Sequence, residues 1–279
     1  MTQFFITLFV LLAVQASAQR VAVLTPDNVP TSVSFADSLG EKLGEKLKML
    51  DSSLAESAFH SFAPLTPFNL TSDESKRIGS AIGCDVFIEL RSETQRRSAF
   101  GRPEYYESFA AIYVVSSRTG RLAYWKLQQF EAAKPDASEK LLTDSLPSLA
   151  VELTDRIKTI LQNELSEMSA ATLEEVPDEN SFAAKNFRAP VPYRRLKPDY
   201  TAQASLYSVS ATVEVMVDLD AAGNIMRTEV VRWAGYGLDE SAVKNIRSMN
   251  WRPAERNGKP LPMRFLVRYN FKKLDKDQK

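Results

Sequence analysis

Ser210-Ala-Thr-Val-Glu-Val-Met-Val-Asp-Leu-Asp220 alternates polar and apolar residues at every position but Met216, the pattern of a strand with one buried face and one wet face. Asp220-Ala-Ala-Gly-Asn224 follows as a turn, with Gly223 or Asn224 supplying the positive φ. Ile225–Trp233 returns as the second strand of a hairpin, and Gly235 and Gly237 break it. Leu238-Asp-Glu-Ser-Ala-Val-Lys-Asn-Ile-Arg-Ser-Met249 then reads as a short helix, capped by Asp239, with Ala242, Ile246 and Met249 facing inward. Trp251-Arg-Pro-Ala254 ends it, Asn257-Gly258 turns, and Leu261–Phe271 is a long final strand. Residues 188–279 are therefore a small β-β-α-β layer.

Upstream, residues 169–187 carry Glu174, Glu175, Asp178 and Glu179 around Pro177 with little apolar material, and read as an acidic linker. Residues 20–168 read as a second domain. Arg20–Thr25 is a buried first strand, and Phe35, Leu39, Leu43, Leu47 and Leu50 form one face of a helix capped by Ser34. Phe62–Phe68 holds two prolines and is at best an edge strand. A helix from Ser72 is stopped by Gly83, and Cys84–Arg91 alternates as a strand. Ser108–Ser116 and Leu122–Phe130 pair through a hairpin turn. A long helix from Ala137 to Leu165 closes the domain. The fold class expected is α+β in two domains, an N-terminal α/β sheet domain with a long closing helix and a small ββαβ domain.

At the amino end, residues 4–14 are an uncharged apolar run leading into Ala16-Ser17-Ala18, small residues at the spacing of a signal-peptidase site. Residues 1–18 are expected to be a signal peptide cut after Ala18, leaving an exported, periplasmic protein. The alternative is an inner-membrane anchor formed by residues 4–18, although the run is short for a span of about 20 residues. One cysteine, Cys84, excludes an intramolecular disulfide framework, and one histidine, His60, excludes His-pair metal motifs. Equal numbers of basic and acidic residues argue against a wholly basic nucleic-acid-binding surface. The zero conceals an uneven distribution: −4 over residues 20–168, −3 over 169–187 and +7 over 188–279.

The order strand, Asp-x-x-Gly, strand, Gly-x-x-Leu-Asp, helix, Trp-x-Pro-Ala, Gly-x-Pro, strand resembles the TonB C-terminal domain family. The matching residues are Val213–Leu219, Gly223, Val230–Gly235, Leu238-Asp239, Ala242, Trp251, Pro253-Ala254, Asn257-Gly258, Pro260 and Val267–Phe271. The resemblance covers residues 188–274, with Pro190–Tyr200 in the place of the family's Pro/Tyr-rich leading segment. Thr201 stands where proline is usual, and Ala211 where a glycine precedes the first strand. Members of the family couple inner-membrane energy to outer-membrane transporters, pairing an extended transporter peptide against the final strand. The resemblance thus implies a partner-binding edge at Phe265, Leu266, Val267, Arg268 and Tyr269, with Pro198 and Tyr200 contributing. Proline at Val267 is expected to delete a ladder donor from this edge. More loosely, residues 20–168 resemble the periplasmic α/β domain at the start of TolB and in CsgG-type secretion proteins, which are docking modules.

No catalytic constellation competes with this reading. His60 lies between aromatic neighbours, Cys84 opens an apolar strand, and Ser116-Ser117 beside Arg118 has no identifiable histidine partner. Glu41/Glu45 read as a solvated helix face, and Gly40/Gly44 lack the strand-turn setting of a phosphate loop. Arg91, Arg96, Arg97 and Arg102, interleaved with Phe100, Tyr105 and Tyr106, read as a solvated loop between strands. The expected partner is an outer-membrane receptor or transporter, or another envelope protein. No enzyme activity, nucleic acid, metal or small-molecule cofactor is expected. The alternative is a non-catalytic envelope scaffold whose domains dock or oligomerise, with a homodimer as one arrangement.

Overall fold

The structure is a computed structural model that describes residues 19–166 and 173–273. The expected signal peptide or anchor, residues 1–18, lies outside the described residues, as do residues 167–172 and 274–279.

β1 (Arg20–Leu24) is buried from Val21 onward, as an inner strand must be. It is followed by α1 (Pro30–Gly44), β2 (Lys48–Met49), α2 (Ser52–Ser61) and α3 (Ser72–Ile82). Then come β3 (Val86–Ala99), β4 (Arg102–Ser116), β5 (Leu122–Ala132), α4 (Pro135–Asp144) and α5 (Leu146–Ser166). The sheet order is β2-β1-β3-β4-β5, with β1 parallel to β2 and β3 and the rest antiparallel. Because successive side chains alternate across a strand, this sheet feeds two cores. Val21, Val23, Ile88, Leu90, Ile112 and Val114 pack under α1, α4 and α5. Ala22, Leu24, Phe87, Ala111, Tyr113 and Val115 face the other way, toward Phe59 of α2 and Ile78 of α3.

That second face is completed by the carboxy-terminal residues. A single 3₁₀ turn (Phe182–Ala184) leads to β6 (Phe187–Arg188), β7 (Val191–Pro192), α6 (Ala202–Leu206), β8 (Ala211–Leu219) and β9 (Ile225–Arg232). α7 (Leu238–Ser248), β10 (Trp251–Arg252), β11 (Ala254–Arg256), β12 (Lys259–Leu261) and β13 (Met263–Phe271) follow. β13-β8-β9 is an antiparallel three-stranded sheet, with β12-β11-β6 and β10-β7 as small satellites. Val213, Val215 and Val217 of β8 and Trp233 and Tyr236 belong to the same buried cluster as Phe87 and Tyr113. Trp233 lies 5.4 Å from the Tyr113 ring, and Trp125 lies 4.8 Å from Tyr236. The two units identified in the sequence are thus packed into one core.

Polar ties reinforce the contact. The Asn69 side chain donates to Thr212 O (2.8 Å) and Trp233 O (2.5 Å) and accepts from Thr212 N–H, bridging the ends of β8 and β9. Tyr207 O–H donates to the buried Glu107 carboxylate, which also holds Arg97 Nε at 2.6 Å.

The fold is α+β, as the sequence implies. Several local expectations are corrected. α1 starts at Pro30, whose fixed φ suits a first helical position, so Ser34 lies inside it rather than capping it. Residues 62–68 form turns, not a strand, and the preceding α2 is capped by Asp51, which accepts from Leu54 N–H at 3.0 Å. The expected loop through Arg91–Tyr106 is mostly strand: β3 and β4 continue past the core as a long ribbon, with Arg96 paired to Glu104 and Arg97 to Glu107. The closing helix is two helices, parted at Ser145, whose hydroxyl donates to Leu142 O at 2.6 Å.

Candidate functional site

β13 pairs with β8 without a register break, from Met263↔Leu219 to Phe271↔Ala211. In an antiparallel ladder, alternate residues turn their main-chain groups toward and away from the partner. Arg264 fixes the phase. Its N–H donates to Glu174 O at 2.8 Å, and its carbonyl accepts from Val176 N–H at 3.1 Å, so its main chain points away from β8. Leu266, Arg268 and Asn270 share that orientation, whereas Phe265, Val267 and Tyr269 bond inward across β8. The outward groups of Leu266, Arg268 and Asn270 have no main-chain partner among the described residues.

The acidic stretch is therefore part of the sheet. Glu174–Val176 lies along the start of β13 as a short parallel addition, bridged Glu175 to Arg264. The Glu174 carboxylate clamps Arg256 at 2.6 and 3.2 Å, and this hydrogen bond holds the carboxyl below its ordinary range. No periodicity in so short a segment announces this pairing, which is why the sequence shows only a charged connector.

Side chains of β13 divide by face. Phe265 is buried, its ring 5.0 Å from Trp251, and Tyr269 O–H donates to Asn245 Oδ1 of α7 at 2.8 Å. On the other face, Leu266 is exposed, Arg268 reaches Glu214 at 2.6 Å, and Arg264 grips Asp218 at 2.7 and 2.8 Å. Glu214 also receives Arg232 at 3.3 Å. These cross-strand ion pairs tie β13 to β8 and leave Leu266 as the exposed apolar contact on this face.

Pro198 and Tyr200 sit elsewhere. Tyr200 O–H donates to Ala204 O and Val209 O, closing the α6 segment, and Asp199 O accepts from Ser241 of α7. No hydrogen bond links Pro198 or Tyr200 to β13 among the described residues. Thr201, where proline is usual, caps α6 by accepting from Ala204 N–H at 3.0 Å and donates to Tyr236 O at 2.7 Å.

Asp239 is not the cap of α7; that position is Gly237, at φ 75°. The buried Asp239 carboxylate accepts from Ala234 N–H (2.9 Å) and Gly235 N–H (2.8 Å), fastening the loop before the helix. Burial pushes its carboxyl up to about 7, against the pull of these two donors. The loop is pressed onto β5: a Cβ at Gly235, at φ 71°, would stand 2.5 Å from Trp125 Nε1.

The remaining reactive types are scattered. Cys84 is buried, and burial pushes its thiol up to about 11, the opposite of a nucleophile's requirement. His60 is exposed on α2, 3.5 Å from Glu56. Ser116 donates its hydroxyl to Glu164 at 2.9 Å. Among the described residues, no three His, Cys, Asp or Glu side chains are grouped to hold a metal ion, and no helix is long and apolar enough to cross a membrane. What β13 offers is a row of main-chain donors and acceptors beside one exposed leucine.

The profile of the family described as Gram-negative bacterial TonB protein C-terminal matches residues 197–273. Solved structures resembling parts of the chain include the TonB carboxy-terminal domain of Pseudomonas aeruginosa, 16% identical, covering 38% of this chain and 99% of that one at a TM-score of 0.28. A lipoprotein of Neisseria meningitidis is 13% identical, covering 49% of this chain and 99% of its own at 0.35. A hypothetical protein of Chlamydia trachomatis is 10% identical, covering 53% and 96% at 0.31. No curated protein matches. Over residues 197–273, with β8, β9, α7 and β13 at its centre, the chain carries a TonB C-terminal domain.

Proposed function

We propose that this chain is an exported, periplasmic TonB-type binding protein that captures an extended segment of an outer-membrane receptor or another envelope protein, in the service of energy-coupled transport. The segment adds as a strand to β13. The observation that carries this reading is the pairing of Glu174–Val176 with Arg264, in which the chain itself already uses the edge in this way. Past Arg264, each outward residue offers one donor and one acceptor, and main-chain bonds of this kind give affinity in strand addition while side-chain contacts give selectivity. Leu266 supplies an apolar contact, and the +7 balance of residues 188–279 favours an acidic segment.

The register changes the variant of choice. Val267 donates inward, so Val267→Pro disrupts the β8–β13 ladder itself, whereas Leu266→Pro removes an outward donor. A photo-crosslinking residue at Asn270 in the full chain should trap an envelope protein in cells, and adding Leu266→Pro should remove most of that adduct. An adduct of undiminished yield in the Leu266→Pro chain would sink the reading.

The scaffold alternative has its own observation: the two halves share one buried core, a construction suited to docking at both ends. It predicts a stable oligomer, such as a homodimer, by light scattering and no effect of Leu266→Pro in cells.

A further inference from the structure

Two other sheet edges face each other across a groove of about 1030 Å³. One wall is residues 121–125, where β5 is the last strand of the five-stranded sheet; the other is residues 227–230, where β9 is the last strand of the three-stranded sheet. α7 adds the side chains of Val243, Lys244 and Arg247. β9 is tied off only at its end, where Arg232 bridges to Thr71, so its groove-lining stretch has no further strand beside it among the described residues.

The charges are unequal. Arg121 and Arg227 both bind the one Glu229 carboxylate, Arg121 Nε at 2.8 Å and Arg227 at 3.0 Å. Among the described residues, Arg247 donates to the neutral Thr228 hydroxyl, at 2.8 and 3.2 Å, and to no carboxylate. Lys244 is exposed and in no ion pair among the described residues. Of the acids, Asp239 is buried and spent on main-chain donors, leaving Glu240 to oppose two uncompensated cations. Leu122, Trp125, Val230, Val243 and the fully buried Trp233, whose indole N–H has no acceptor among the described residues, add apolar lining.

We infer that this groove is a second strand-accepting site, for an extended acidic peptide that lies between β5 and β9 with its carboxylates on Lys244 and Arg247. The inference stands apart from the β13 reading, because it uses the opposite edge of the sheet. The four β5 residues Leu122–Trp125 and the four β9 residues Arg227–Val230 each match about 13 Å of extended chain, so the recognised core is short. Alternating acidic and β-branched residues fit a site that is cationic on one side and apolar on the other.

The test uses the full chain and a fluorescein-labelled decapeptide of alternating Glu and Val, with its Lys/Val counterpart as control. Fluorescence anisotropy at low salt should show binding of the acidic probe only. Lys244→Glu/Arg247→Glu, both at exposed positions, should weaken it at least about ten-fold. Leu266→Pro should leave it unchanged, and hydrogen exchange should show new protection in residues 122–126 and 225–230. The inference is overturned by no binding up to about 1 mM probe, by equal affinity for the charge-reversed chain, or by protection confined to β13. It is equally overturned if light scattering shows a dimer that the charge reversal dissolves, since the occupant is then a second copy.

Discussion

Glu89 is fully buried in β3, and neither of its carboxylate oxygens has a hydrogen-bond partner among the described residues. Burial first, and the nearby Glu56 charge second, push its carboxyl well above the ordinary 4.5. The folded protein therefore holds a proton that the unfolded chain releases near 4.5. The Glu89 contribution to stability is therefore fully present below that value and is lost as pH rises through the folded-state pKa. Glu89→Gln should remove this dependence and raise stability at pH 8 by about 1–3 kcal/mol, with little change at pH 4. Urea unfolding across that range checks it, and parallel curves for the two proteins would refute it. Gly235 makes the opposite kind of prediction. Its φ of 71° and the 2.5 Å approach to Trp125 mean that Gly235→Ala should cost about 2 kcal/mol or more, read as a lowered melting temperature. The glycine itself is visible in the sequence as a strand breaker. Its reason is a tryptophan 110 positions away, which no local pattern reports.

At the level of the element, what could be read depended on whether a segment has two unlike faces. Ser210–Asp220 was legible because burial on one side imposes alternation, and β8 lies there with Val213, Val215 and Val217 fully buried. Arg91–Tyr106 was not, because its ribbon runs beyond the core and carries charged and aromatic residues on both faces. There cross-strand ion pairs replace hydrophobic alternation as the organising contact. The candidate edge was half legible. Phe265–Tyr269 do share one strand, but its phase, and the occupation of its start by Glu174–Val176, are set by long-range main-chain hydrogen bonds that leave no local pattern. Leu266→Pro and Val267→Pro, one residue apart, should therefore differ sharply. The first should keep its circular dichroism spectrum and melt within a few degrees of the parent. The second should lose cooperative unfolding, as expected when a ladder bond inside a sheet is removed. Equal stability of the pair would mean that the register is wrong.

For the whole molecule, the two compositional units behave as layers of one body. Tyr113, Trp125, Trp233 and Tyr236 meet in the middle, and Asn69 stitches the end of the β8–β9 hairpin to the first layer. The sequence could not show this, since a hydrophobic face reads alike whichever layer covers it. The full chain should unfold in a single calorimetric transition. A fragment of residues 188–279 alone would expose Trp233 and Tyr236, and should bind a hydrophobic dye and self-associate. Two separate transitions, or a fragment as stable and monomeric as the whole, would contradict this packing.

The short parallel addition at Arg264 has a further meaning for anything that arrives at β13. The first rung is taken, so a newcomer cannot slide to that end of the strand and must start its count at Leu266. Because strand side chains alternate, a shift of one residue would turn every contact to the opposite face. The chain's own stub thus acts as an index mark, and recognition at this edge becomes a matter of reading frame rather than composition alone.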